Sequence, residues 1–404
     1  MGKAIVVKGR IADLLGFVRL VPLRRGKIRA ASPVSLPDDP VNATVRLMHP
    51  RTMRLRVVSV KQETESTKTF TLAPDPSRGT ERLATFRAGQ YLNVKVPVDG
   101  RAVTRNYSLS STPTEAAAGV YRITIRRKKG GYATERIFGE WREGTILESS
   151  GPVGTFFYEG LRDRRRLVAL AGGCGITPIY SMARDIVERA ADVQVTILYG
   201  VRDSRDVIFR DGLAELERSH GDRVKVHLIA SEPEAGWTGP TGFITAELIG
   251  RLAGAVHEAS FFICGPQAMY TFLDGELAKL KIPRRLMRRE LFGEIDEAAK
   301  LPGFPAGNAS RTYVLKVHIA DETLEVPASG GETILVALER AGLEPPSRCR
   351  SGECGWCRAR LIKGDLFVSP MHDGRRIADR KFQWVHPCSS YPLSDLEMRV
   401  NRSL

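Results

Sequence analysis

The sequence predicts several folded modules in one chain: an all-β unit, a small barrel or sandwich, then a parallel α/β unit and a short α+β unit. Three observations carry this. Residues 51–160 hold short alternating runs broken by turn signals, and in residues 161–300 apolar strands alternate with helical patterns. Four of the six cysteines crowd into the last 56 positions. At about 100 to 200 residues per domain, 404 residues accommodate two to four packed units.

Residues 1–50 read as a basic, proline-containing appendage with one short amphipathic stretch, where Ile11, Leu14, Leu15 and Val18 fall at helical spacing and Pro22 ends the pattern. The strand runs of the all-β unit are Leu55–Val60, Thr69–Ala73, Tyr91–Val96 and Val120–Arg126. In the α/β unit, Leu167–Ala171 leads through a glycine cluster to a helical pattern over Met182–Ala190. Val193–Tyr199, a helix near Leu213–Arg218, Val224–Ile229 and Phe261–Cys264 follow, an alternation that implies a parallel sheet. A Pro- and Gly-rich linker, residues 301–310, precedes the last unit, 311–404, with strand-like runs Tyr313–Ile319 and Thr323–Val326 and a helix around Ile334–Ala341.

The formal charge of +15 suggests nucleic acid, anionic membrane or an acidic partner, but it is unevenly spread. Residues 1–56 hold twelve basic and three acidic side chains, a net +9, which leaves +6 for the remainder. No basic-aromatic motif supports nucleic-acid binding. No stretch approaches the roughly 18 apolar residues of a membrane span, and the N-terminus is a poor secretory signal, so a cytoplasmic protein is expected.

Cys349, Cys354 and Cys357 are separated by four and two residues, and Cys388 follows thirty residues later. This is the plant-type spacing for a two-iron, two-sulfur cluster, which needs four thiolates on a loop whose backbone amides point at sulfur. A structural zinc site usually presents two C-x-x-C pairs, and only one is found here. The string Cys349-Arg350-Ser351-Gly352-Glu353-Cys354-Gly355-Trp356-Cys357 resembles the loop of plant-type ferredoxins, which implies a β-grasp fold and four cysteine ligands. Trp356 is either an exposed partner contact or a lid packed over the loop.

In the all-β unit, Arg105-Asn106-Tyr107-Ser108, Gly130-Gly131-Tyr132-Ala133-Thr134 and Gly151-Pro152-Val153-Gly154-Thr155-Phe156 occur in that order. Extended residues place alternate side chains on one face, and glycine amides suit a pyrophosphate. Together the three motifs resemble the flavin domain of the ferredoxin reductase superfamily, an antiparallel β-barrel. The resemblance implies FAD, with Arg105 on the flavin phosphate, Tyr107 stacked on the ring, Ser108 near N5 and Leu109 continuing the contact. Gly130, Gly131 and Thr134 would meet the pyrophosphate.

Gly172-Gly173-Cys174-Gly175-Ile176-Thr177-Pro178 follows one apolar strand and Cys264-Gly265-Pro266 closes another. Ligands of open α/β sheets bind at the carboxyl ends of the strands, so both loops should line one crevice. They resemble the pyridine-nucleotide domain of the same superfamily, which implies Gly173, Gly175, Thr177, Gly265 and Pro266 as nucleotide contacts and Cys264 beside the nicotinamide. Glu290 and Phe292 resemble its closing segment at the two rings. Arg202 and Arg205 lie where the adenosine ribose is expected; arginine suits the 2′-phosphate of NADPH and the neighbouring Asp203 and Asp206 the 2′-hydroxyl of NADH, and the expectation leans to NADH.

This order of modules resembles that of reductase components serving multicomponent oxygenases. It implies an NAD(P)H-dependent oxidoreductase in which hydride reaches FAD and single electrons leave through the [2Fe-2S] cluster to an oxygenase or another metalloenzyme. The alternative is a membrane-surface reductase that lays residues 1–50 on anionic lipid and donates to a quinone or membrane enzyme.

Overall fold

A computed structural model of the chain describes residues 11–31, 39–98, 100–291, 298–370 and 373–401. The chain divides into two compact units, Met1–Leu47 and Met48–Leu404. In the first, α1 (Ile11–Ala30) runs straight through Pro22. This corrects the expected stop at Pro22: an internal proline removes one backbone hydrogen bond and crowds the preceding turn, which bends a helix as readily as it ends one. Lys27 and Arg29 in the last turn complement the carbonyl end of the helix dipole. Leu15, Val18, Leu20 and Leu23 are exposed and scattered around the axis, so the amphipathic pattern does not extend along the helix. Asp39 caps α2 (Pro40–Met48), accepting hydrogen bonds from the Val41 and Asn42 amides at 2.9 and 3.0 Å. No helix among the described residues is long and apolar enough to cross a membrane.

The second unit opens with β1 (Met53–Thr64), β2 (Thr67–Pro74), β3 (Tyr91–Val98), β4 (Arg101–Ser108), short α3 (Pro113–Ala117), β5 (Tyr121–Arg126), α4 (Thr134–Glu140) and β6 (Ile146–Ser149). The sheet is antiparallel in the order β4-β3-β6-β1-β2-β5. A bridge between Leu109 and Ile123 joins its two edges, so the sheet closes on itself. Alternate residues such as Leu55, Val57, Leu92, Val94 and Val96 fill the interior, where Phe70 meets Trp141 edge-on at 5.3 Å.

Next come β7 (Arg166–Gly172), α5 (Ile176–Glu188), β8 (Gln194–Val201), α6 (Arg210–His220), β9 (Val224–Ala230), α7 (Ala246–Ala253), β10 (Ala259–Cys264), α8 (Gln267–Lys279) and β11 (Met287–Glu290). The strands are parallel in the order β11-β10-β7-β8-β9. Leu167, Ala169 and Ala171 of β7 face one apolar cluster and Val168 and Leu170 the other, which is why this strand is a continuous hydrophobic run. Helices α7 and α8 and strand β11 are not among the predicted elements. The strand order runs outward from β7 to β9 and then resumes on the other side of β7 with β10 and β11, so the loops after β7 and β10 flank the topological switch point.

The last part contains β12 (Thr312–Ile319), β13 (Glu322–Ser329), α9 (Ile334–Arg340), β14 (Ala359–Lys363), β15 (Leu366–Val368), α10 (Ile377–Lys381), β16 (Trp384–Val385), β17 (Ser390–Pro392) and β18 (Leu396–Val400). Its mixed sheet, β13-β12-β18-β14-β16, has β12 antiparallel to β13 and parallel to β18. Thr333 caps α9 by accepting from the Val336 amide, and Ile334, Ala337 and Leu338 pack onto Leu315, Val317 and Met398. The linker is anchored rather than free. Phe304 packs edge-on against Phe367 at 5.2 Å and Tyr391 at 5.7 Å, and buried Asn308 donates to the Gly330 and Pro392 carbonyls.

Candidate functional site

Arg105, Tyr107 and Ser108 lie in the second half of β4, with Leu109 just beyond, at the bridge that closes the sheet. Ser108 and Leu109 are buried. The Tyr107 hydroxyl is buried with no hydrogen-bond partner among the described residues, and burial pushes the phenol well above its ordinary pKa. The Arg105 guanidinium donates to the Thr104 carbonyl and stands 3.6 Å from the Glu339 carboxylate on α9. The intervening Asn106 donates its side-chain amide to the backbone carbonyl of Cys349 at 3.3 Å.

The Gly130-Gly131 turn is bonded within itself: the Gly130 amide donates to the Glu135 carboxylate at 3.0 Å, and the Lys128 amide to the Thr134 hydroxyl at 3.1 Å. Gly154, by contrast, faces the junction. A β-carbon there would fall 2.9 Å from the Tyr91 ring and 3.7 Å from a Glu290 carboxylate oxygen.

The two loops of the α/β unit nest against each other. A β-carbon at Gly175 would lie 2.0 Å from the Cys264 carbonyl oxygen, so that position demands glycine for packing alone; one at Gly172 would lie 2.5 Å from the Met269 sulfur and displace that flexible side chain. Thr177 donates its hydroxyl to the Cys174 carbonyl, helping turn the chain into α5. A β-carbon on Gly173 would meet the Arg126 guanidinium at 3.0 Å, and Arg126 pairs with Asp206 at 2.6 Å, which ties the loop after β8 to this crevice. Arg202 and Arg205 are exposed and both engage Asp203, at 3.7 and 3.0 Å.

Cys264 and Glu290 are paired in register at the ends of β10 and β11. Both are buried. Burial, reinforced by Glu290, pushes the Cys264 thiol well above its usual range, and burial, reinforced by the Glu353 carboxylate, does the same to Glu290. One Glu290 oxygen has no hydrogen-bond partner among the described residues. The Tyr270 hydroxyl clamps the spot, donating to the Glu290 carbonyl and accepting from the Gly265 amide. Phe292 and its expected role lie outside the described residues.

The cysteine loop is arranged for sulfur. The Gly352 amide points at the Cys388 sulfur at 3.3 Å, the Cys354 amide at the Cys349 sulfur at 3.4 Å, and the Trp356 amide at the Cys354 sulfur at 3.5 Å. The Cys357 and Cys388 sulfurs are 3.4 Å apart. Cys349, Cys357 and Cys388 are buried and Cys354 is exposed. Gly352 and Gly355 take positive φ, and so does Arg350 at 56°, a costly geometry for a side-chain-bearing residue. Arg350 is held there by a buried two-bond ion pair with Glu339, at 2.6 and 2.8 Å. The inward-directed amides and convergent thiols fit a sulfide-bearing iron cluster better than a lone cation. Trp356 is half exposed, with the Arg348 guanidinium stacked on its ring at 3.5 Å, so it is both a surface residue and a packed one.

A cleft of about 1080 Å³, lined by Asn93, Lys95, Thr104, Arg348 and Trp356 among others, opens between barrel and cysteine loop. None of the nucleotide-loop glycines lines it, so it marks the seam between modules. Sequence reasoning missed Tyr91, Asn106, Glu339 and Glu353. Asn106 and Glu353 stand inside the quoted motifs and Tyr91 at the head of a predicted strand without a role, and Glu339 shows only as an acid inside an apolar helical run.

Residues 54–158 match the oxidoreductase FAD-binding domain, 169–274 the oxidoreductase NAD-binding domain and 317–393 the 2Fe-2S iron-sulfur cluster binding domain. The chain belongs to the ferredoxin reductase superfamily, among the flavin- and NAD(P)H-dependent oxidoreductases that carry a C-terminal ferredoxin domain. It is 30% identical over 353 residues to the ferredoxin reductase component of 3-ketosteroid-9-alpha-monooxygenase from Mycobacterium tuberculosis, covering 85% of this chain and 94% of that protein. It is 28% identical to the glycine betaine monooxygenase reductase subunit of Pseudomonas aeruginosa, across 85% of this chain and 93% of the relative. Its fold is that of phthalate dioxygenase reductase, with a TM-score of 0.63 at 24% identity over 87% of this chain and 98% of that one. The protein is therefore an oxidoreductase that uses FAD, NAD(P)H and a [2Fe-2S] cluster.

Proposed function

We propose that this reductase delivers single electrons to an oxygenase or a related metalloenzyme. The observation that carries the reading is convergence. Asn106 on the flavin strand touches the Cys349 carbonyl, and Glu290 at the nucleotide crevice lies beside Gly154 of the barrel. Relatives named as monooxygenase reductase components support the choice of acceptor class.

When bound, FAD accepts a hydride from NAD(P)H and the cluster carries one electron at a time, so the pair converts two-electron into one-electron chemistry. Arg105 binds the flavin phosphate, and the half-buried Tyr107 ring gives the isoalloxazine a flat apolar wall. Ser108 offers a hydroxyl near N5, and Leu109 keeps the strand end dry. Gly173, Gly175, Thr177, Gly265 and Pro266 shape the crevice that receives the dinucleotide, with Gly130, Gly131 and Thr134 beside the flavin pyrophosphate. Cys264, kept as a neutral thiol by burial, packs beside the nicotinamide rather than attacking it. Glu290 holds its proton in the dry junction. Cys349, Cys354, Cys357 and Cys388 hold the irons.

The test is Cys354→Ala. Cytochrome c reduction should be lost while NADH still reduces the flavin at the parent rate. A variant with undiminished cytochrome c activity would mean that electrons leave by another route.

A further inference from the structure

The contacts between flavin strand and cysteine loop are built by Arg105, the expected flavin-phosphate residue, and by Asn106, to which no cofactor role attaches. β4 pairs with β3 along its length and is joined to β5 only by the bridge beyond its end, so the Arg105–Ser108 stretch has no second strand partner and meets α9 instead. Successive side chains on a strand point to opposite faces. Arg105 therefore meets Glu339 on one side, and Asn106 meets the Cys349 carbonyl on the other. Glu339 in turn grips Arg350, the residue next to Cys349, through two hydrogen bonds. The backbone that carries one expected iron ligand is thus clasped from both faces of the strand that carries the expected flavin contacts.

We propose that Asn106 is a positioning residue for the internal electron step: its side-chain amide, donating to the Cys349 carbonyl, holds the cluster loop in the docked arrangement from which the flavin can reduce the cluster. This rests on the assignment of β4 to the flavin and of the four cysteines to the cluster. Each NAD(P)H supplies a hydride, which is two electrons and a proton. Two successive one-electron transfers return the flavin to its oxidised form with release of that proton. Each converts one ferric iron of the cluster to ferrous, and an added one-electron acceptor such as cytochrome c reoxidises it.

Asn106→Ala removes the donor, and Asn106→Asp places a carboxylate against a carbonyl oxygen. The test follows flavin reduction by NADH and subsequent cluster reduction separately in single turnovers of the holoenzyme, with amide hydrogen exchange of residues 349–357 as an independent readout. One lost neutral hydrogen bond corresponds to about a fivefold population change. Cluster reduction should slow by about that factor in Asn106→Ala and by more in Asn106→Asp, and exchange in the loop should accelerate. Flavin reduction and FAD retention should match the parent. The proposal is overturned if cluster reduction keeps the parent rate, or if flavin reduction and FAD retention fall in step with it. The Cys354→Ala result separates the two ideas: retained cytochrome c activity there refutes the underlying cofactor assignment, whereas unchanged Asn106 variants beside an inactive Cys354→Ala refute only the positioning role.

Discussion

Glu290 lies directly beside Cys264 at the carboxyl ends of two parallel strands, its carboxyl buried and its proton retained well above the ordinary carboxylate range. The folded protein therefore keeps a proton that the unfolded chain loses first. Stability falls as pH rises from the ordinary value of 4.5 toward the raised native value. Glu290→Gln mimics the protonated side chain and removes this dependence. Its melting temperature should match the parent at about pH 4 and exceed it increasingly toward about pH 8. A difference that stays flat across that range would show that Glu290 is ionised in the native protein.

Arg350 and Glu339 make a second prediction. Glu339→Ala takes the neutralising carboxylate from a guanidinium that is 1% exposed, a loss of ~3–5 kcal/mol. Because such pairs recover little net energy over well-packed apolar residues, the double change Glu339→Leu with Arg350→Met should regain most of it. Urea unfolding of the parent, Glu339→Leu, Arg350→Met and the double variant measures the cycle, with Glu339→Ala run beside them. A Glu339→Ala loss under about 1 kcal/mol would place the pair in the weak surface class.

The glycines separate two kinds of constraint. Gly175→Ala drives a β-carbon into the Cys264 carbonyl, so the nested loops must part; about 1–3 kcal/mol of stability should go, and KM for NAD(P)H should rise. Gly130, at φ 71° with nothing within 4 Å of an added β-carbon, meets only a backbone penalty of about 1 kcal/mol. Equal losses at the two sites would remove the loop-nesting argument.

Fold and chemistry were unequally legible in the sequence. β7 announces itself because both faces are buried, and the cysteine spacing because four ligands must share one loop. Helix α7 is amphipathic, burying Leu248, Ile249 and Ala253, but spans only about two turns, too short for its period to stand out. Helix α8 mixes polar and apolar residues with no marked period, and the path of α1 past Pro22 is beyond a rule that treats internal proline as a stop. Within the site, Arg105 and Cys349 stand out in their own motifs, but the hydrogen bond joining their neighbourhoods spans 243 positions. Pairing at that separation depends on how modules dock. The sequence marks Glu290 only through the resemblance of its segment; its burial and its place beside Cys264 appear when β11 lays it against β10.

The basic N-terminal unit contains none of the residues placed at the cofactors. Removing Met1–Leu47 should leave the cytochrome c rate and the melting temperature of the remainder at parent values. A fall of more than about twofold in rate, the size of a small hydrogen-bond change, would tie that unit to catalysis.

Nucleotide choice turns on Asp203. An acid at this place favours NADH only if its carboxylate is available for a ribose hydroxyl. Here it accepts from the Arg205 amide at 2.9 Å and pairs with the Arg205 guanidinium at 3.0 Å, and these bonds hold its pKa below the ordinary value. Asp206, the other acid of the segment, is taken by Arg126. The exposed groups are Arg202 and Arg205, which suit a 2′-phosphate. NADPH should therefore be used at least as well as NADH, against the lean of the sequence. Arg205→Ala should free Asp203 and lower the preference for NADPH by about tenfold, the usual weight of one charge-assisted contact. Steady-state KM and kcat for both nucleotides decide it: a parent enzyme that strongly prefers NADH, with Arg205→Ala leaving the ratio unchanged, would mean that Asp203 exchanges its arginine for the ribose when the nucleotide binds.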